Sequence, residues 1–190
     1  MRIASVLLLY AGLVVTGCTN TSENKSQAEN KRTAQPPKSR LDSAGTQQLL
    51  ALLTDYYALK DALVATNAQK ADAAAAKLAQ SAANMSAVLQ TSGNSILQPH
   101  LDTIKAKTQD IIGMMDESCE HKRIHFEAIS NTMYALLQKT ELKNAGVYRQ
   151  YCPMAFNDKG AYWLSNEADI KNPYFGDKML ECGEVTDTLN

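Results

Sequence analysis

The chain has 190 residues, 45% hydrophobic and 21% charged, with a formal net charge of -1. That balance suits one soluble domain with accessory segments, and it excludes the basic footprint that nucleic-acid binding needs. No Gly-x-Ser-x-Gly, phosphate-binding Gly-rich loop or paired-carboxylate signature occurs, so no enzymatic activity and no organic substrate are expected.

The N-terminus reads as a targeting segment. Arg2 gives a small positive region, and Ile3 to Val15 is an apolar stretch too short to span a bilayer as a stable helix. It ends in Val15-Thr16-Gly17-Cys18, which resembles the lipobox of bacterial lipoproteins. The resemblance implies a signal peptide over 1–17, lipidation of Cys18 and a periplasm-facing, lipid-anchored protein. An ordinary signal peptide with a chance cysteine is the alternative. Thr19 follows, and not the Asp that favours inner-membrane retention, so the outer membrane is slightly favoured. Residues 18–45 are polar, with Pro36-Pro37 and little that is large and apolar. Such a segment cannot bury enough surface to offset its ordering entropy and is expected to be a flexible tether.

From Thr46 the pattern turns helical. Leu49, Leu50, Leu52, Leu53, Tyr56, Tyr57, Leu59 and Leu63 recur at three- and four-residue spacing. Thr66-Asn67 offers an N-cap for an Ala-rich helix over 68–90, which should lie close to a neighbour because its side chains are small. Ser92-Gly93-Asn94 breaks it. A third helix is expected over 95–116, with Pro99 in its first turn, and a fourth over 118–139. Asn144-Ala145-Gly146 ends the helical region. The fold class is therefore all-α: an up-down four-helix bundle over 46–140. Residues 141–188 form a C-terminal module of irregular loops and short strands packed on the bundle as part of the same domain. Val147 to Tyr151 alternates like a short strand.

That module carries the candidate site. Cys152-Pro153-Met154 and Met179-Leu180-Glu181-Cys182-Gly183 each pair one thiol with one thioether. Thiolate and thioether are soft ligands that select Cu(I), with Ag(I) as a mimic. Three cysteines remain beside Cys18, an odd number for an exported protein, which points to a free thiol, a metal ligand or an intermolecular bond. Cys152 and Cys182 alternatively close a disulfide loop worth about 3 to 4 kcal/mol, or alternate between thiol pair and disulfide. Met154 and Met179 are alternatively core residues. His125 follows His121 by one helical turn, a spacing that chelates metals, and is a candidate fifth ligand. Both histidines are otherwise solvated or hydrogen-bonded helix residues, and His100 is read as an ordinary helix residue. Trp163, Tyr174 and Phe175 are expected to pack the module onto the bundle, with Gly176 and Gly183 at positive φ. Arg123 is expected to meet a carboxylate or a carbonyl of the C-terminal loop.

Several segments occur in order: Arg123-Ile124-His125-Phe126-Glu127, Ile129-Ser130, Tyr151-Cys152-Pro153-Met154-Ala155, Gly160, Trp163-Leu164-Ser165, Ile170, Asn172-Pro173-Tyr174-Phe175-Gly176, Met179-Leu180 and Cys182-Gly183. Together they resemble a small uncharacterised bacterial domain family. It is found alone in exported lipoproteins and fused to periplasmic adaptor subunits of copper/silver efflux pumps. The family often has His directly before Cys-Pro-Met, where this chain has Tyr151. The resemblance implies heavy-metal handling in the periplasm, most simply capture of Cu(I) and hand-over to an efflux adaptor or another metal carrier, and no enzymatic activity. A structural or protein-interaction module with a Cys152–Cys182 disulfide is the alternative.

Overall fold

The computed structural model describes residues 35–189, so the leader and Cys18 lie outside the described residues. Four long helices follow one another. The first, α1 (Ser43–Val64), starts where the Asp42 carboxylate accepts the Gly45 N–H at 2.7 Å. The second, α2 (Ala68–Thr91), starts where the Asn67 side chain accepts the Lys70 N–H at 2.9 Å. Each side chain satisfies a donor that the first helical turn leaves open. The buried face of α2 is Ala71, Ala74, Ala75, Leu78, Ala82 and Met85. A short 3-10 turn (Ser95–Leu97) leads into α3 (Gln98–Ile112), with Pro99 in its first turn. The last, α4 (Glu120–Thr140), buries Phe126, Ile129, Met133, Leu136 and Leu137. Helices adjacent in sequence pack on one another, α1 on α2, α2 on α3 and α3 on α4.

The apolar pattern predicts α3 to Asp116, yet it stops at Ile112. The buried Lys122 explains the early stop. Its ammonium donates to the Ile111 and Met114 carbonyls at 2.9 and 2.7 Å and pairs with Asp72 of α2 at 2.6 Å. A cation set on the open carbonyls of a helix end opposes the negative pole of that helix. The same side chain thereby joins α2, α3 and α4.

The C-terminal region is more regular than irregular loop. It forms a three-stranded antiparallel sheet of β1 (Val147–Cys152), β2 (Ala161–Ser165) and β3 (Glu184–Leu189), in the order β2-β1-β3. Tyr151 stands opposite Tyr162 on one side and Glu184 on the other. The sheet meets the bundle through β2 and α4. At that junction the buried Tyr56 hydroxyl accepts the Leu164 N–H at 3.0 Å and lies 2.8 Å from the Ser130 hydroxyl. Its ring stacks on Phe126, with centroids 5.3 Å apart. Burial pushes the Tyr56 phenol well above its ordinary range.

At the other end of α4, the residues that lead into α1 are clasped to the chain that leaves α4. Lys38 and Lys143 exchange backbone hydrogen bonds at 3.1 and 2.9 Å, and the Arg40 N–H donates to the Thr140 carbonyl at 2.8 Å.

Tyr56→Phe should destabilise the domain by about 1–3 kcal/mol, the usual cost of leaving a buried backbone donor unpaired. Urea unfolding with an unchanged m-value is the measurement. An unchanged midpoint would show that the sheet does not depend on this contact.

Candidate functional site

Cys152 closes β1 and is fully buried. The next residues are forced into an unusual path. Phe156, Asn157 and Asp158 have φ of +54°, +56° and +64°, and the chain returns to β2 through Gly160 at φ +77°. Three consecutive side-chain-bearing residues in the left-handed region cost roughly 1–2 kcal/mol each. The turn directs Phe156 against Tyr174, edge to face at 5.3 Å. It leaves Met154 46% exposed.

Cys182 is brought in from the other side by Asn172. The buried Asn172 amide donates to the Cys182 carbonyl at 2.7 Å, while its oxygen accepts the Tyr174 and Phe175 N–H groups at 2.8 and 3.3 Å. An Asn before Pro that bonds the backbone two residues on is a turn signal. That signal was present in the sequence, but its hold on Cys182 was not visible there. Gly183, at φ +149°, completes the approach. A Cβ at that position would lie 2.8 Å from the Tyr151 carbonyl and 2.9 Å from the Trp163 ring.

The two thiols meet as a result, with sulfurs 2.6 Å apart. Cys182 is half-buried, and the Cys182 N–H donates to the Met179 carbonyl at 3.1 Å. Burial, followed by the hydrogen bond and charge of Cys152, pushes the Cys182 thiol up to about 11. A hydrogen bond from the Met154 backbone opposes that shift. Met154 and Met179, two residues after Cys152 and three before Cys182, line an open cleft of about 570 Å³ with Ile124, Phe156 and Phe175, and with Glu120, Asp158, Arg123 and Lys178; neither cysteine is among its lining residues. Of the four candidate ligands, the two thiols are in contact and the two thioether residues share one cleft.

The histidines do not join them. His125 turns to α3, with Nδ1 3.2 Å from the Asp110 carboxylate, and His121 Nδ1 lies 3.3 Å from Asp116. Tyr151 stacks on Tyr162 at 4.4 Å and covers Gly160. By strand alternation its side chain leaves β1 on the face opposite Cys152. Among the described residues, no three His, Cys, Asp or Glu side chains converge as a metal-holding group. The candidate set is two thiols and two thioethers. Cys119, buried before α4 at φ +60°, stands apart, and burial raises its thiol.

Arg123 supports the cleft from below. Its guanidinium donates to the carbonyls of Pro173, Ser118 and Leu63 and to the Thr66 hydroxyl at 2.7 to 3.0 Å. The acceptor expected in the C-terminal loop is therefore the Pro173 carbonyl. Gly176, at φ +57°, fits beneath this group. A Cβ there would meet the Val64 carbonyl at 2.9 Å and the Thr66 hydroxyl at 2.5 Å.

Fold and site together define a helical-bundle domain that carries a small antiparallel sheet with a thiol pair at the end of its central strand. Residues 52–145, most of the bundle, match the family model described as a protein of unknown function (DUF3347). The match ends before β1, and the sulfur-bearing segments lie beyond it. No curated protein and no solved structure matches the chain. Among the described residues, no helix is long and apolar enough to cross a membrane.

The raised Cys182 thiol sets a pH dependence. Below pH about 9, the ordinary value, folded and unfolded chains both hold the proton and the contribution to stability is fully present. As pH climbs towards about 11 the unfolded chain loses its proton first, so stability falls. Reduced protein should show a falling urea midpoint across that window, and Cys182→Ser should show a shallower fall. Equal slopes would contradict this origin.

Proposed function

We propose that the protein is a lipid-anchored, periplasm-facing carrier of a soft metal ion, Cu(I) first and Ag(I) as a mimic, and not an enzyme. The observation that supports this most is the contact of the Cys152 and Cys182 sulfurs at 2.6 Å, with Met154 and Met179, two and three residues away in the chain, both lining one open cleft. Thiolates supply affinity, and exchangeable thioethers on an accessible wall suit passage of the ion onward. An efflux-pump adaptor or another metal carrier is the proposed recipient, in keeping with the family resemblance of the C-terminal segments. The anchor rests on Val15-Thr16-Gly17-Cys18.

The residues fit such a cargo with one adjustment. Two sulfurs bound to one ion at about 2.3 Å each stand roughly 4 Å apart. Cys152 and Cys182 must therefore part by more than an ångström to admit it. Cys182 is the partner placed to move, because it sits outside regular structure before β3 while Cys152 is fixed in β1. The same close contact favours a second reading, in which the pair is a disulfide that fastens the sheet of a protein-interaction module.

Competition with a chromophoric Cu(I) chelator, on reduced protein, tests the first reading. One ion should bind, in preference to Zn(II), and Cys152→Ser or Cys182→Ser should weaken it by roughly 100-fold or more. Met154→Leu and Met179→Leu should weaken it less while keeping the fold, since the change conserves volume at under about 1.5 kcal/mol. His125→Ala should leave affinity unchanged, because His125 faces Asp110. Unaltered affinity in both cysteine variants would favour the disulfide reading. Separately, Cys18→Ser should release the protein from the membrane fraction; retention would refute the anchor.

A further inference from the structure

We infer that Cys182 and Cys152 form a thiol–disulfide exchange site, in which Cys182 attacks an external disulfide and Cys152 resolves the product. The division of labour follows from placement. Cys152 is fully buried at the end of β1 under the sheet, so no external disulfide reaches it. Cys182 is half-buried and lies outside regular structure before β3, so its sulfur is the one an external disulfide can approach. With the sulfurs 2.6 Å apart, the resolving thiol is already beside the sulfur it must attack.

The steps balance. Cys182 loses its proton to solvent, and its thiolate attacks one sulfur of a disulfide such as oxidised glutathione. A Cys182–glutathione bond forms and one glutathione thiolate leaves. Cys152 then loses its proton and attacks the Cys182 sulfur. The Cys152–Cys182 bond forms and the second glutathione thiolate leaves. Two electrons pass from the cysteine pair to the external disulfide. The attacking species at each step is the thiolate.

A consequence for the cleft rests on the metal-carrier reading. Oxidation removes both thiolates from the candidate ligand set and leaves the thioethers of Met154 and Met179. The chain then has two affinity states set by thiol redox, a firm one when reduced and a loose one when oxidised.

The test uses the full chain treated with oxidised glutathione, with each product located by mass spectrometry of its peptides. That mapping keeps Cys18 and Cys119 apart from the pair. Wild type should give the Cys152–Cys182 disulfide with little mixed product. Cys152→Ser should accumulate glutathione on Cys182, and Cys182→Ser should leave Cys152 unmodified. Capture of Cys152 at a comparable rate, or an unreactive Cys182, would overturn the assignment. A chelator competition on wild type before and after oxidation reads the consequence, with an expected loss of roughly 100-fold in Cu(I) affinity. Equal affinity in both states would overturn the gating. Absence of Cu(I) binding by the reduced chain would refute the carrier reading and leave the exchange result standing.

Discussion

Arg123 is the point on which the rest of the molecule turns. A guanidinium with little exposure needs acceptors for its donors, and here they come from three parts of the chain remote in sequence. The Leu63 carbonyl and the Thr66 hydroxyl belong to the end of α1, the Ser118 carbonyl to the approach to α4, and the Pro173 carbonyl to the loop that carries Cys182. None is a carboxylate, so no short ion pair competes with the carbonyls for position. Burial lowers the affinity of the group for its proton, and the nearby Cys119, Asp116 and Glu120 act the other way. The cation stays, and the three segments are fixed around it. The cleft floor, the bend at Asn172-Pro173 and the course of Gly176 all follow.

A second layer of order comes from Tyr56 and Lys122. Tyr56 reads the backbone of β2 from α1, and so sets the height of the sheet on the bundle. Lys122 closes α3 and draws in α2. All three side chains do with one polar head what a small domain cannot do by apolar burial alone: they give neighbouring elements a single register. Arg149 adds a lateral brace. It lies against the rings of Tyr134 and Tyr162, 3.9 and 3.8 Å from their centroids, and so joins α4 to β1 and β2.

The helices were legible because apolar spacing survives any tertiary arrangement. Leu49 through Leu63 and Phe126 through Leu137 lie on buried faces, and the capping role of Asn67 was readable as well. The strand at Val147 was legible from alternation. β3 was not, since Glu184-Val185-Thr186-Asp187-Thr188-Leu189 is a largely exposed edge with no core side to pattern it. The end of α3 was missed because a side chain ten residues later sets it. At the site, the meeting of the two Cys segments was readable from composition. The turn at Phe156 to Asp158, the grip of Asn172 and the distance of His125 were not. A histidine spacing on a helix tells which face it shares and nothing of which neighbour that face meets. For His125 that neighbour is Asp110.

The clasp between Lys38 and Lys143 has a mechanical meaning. Any load on the segment preceding α1 enters the domain there, through two backbone hydrogen bonds and the one from Arg40 to Thr140. The cleft lies near the opposite end of α4, about 25 Å away at 1.5 Å of rise per residue from Thr140 to Arg123. A helix is stiff along its axis, and the clasp lies off the route from Arg123 through Asn172 to Cys182. Force applied at the N-terminal side reaches the sheet first at Val147, four residues after Lys143 and at the end of β1 opposite Cys152.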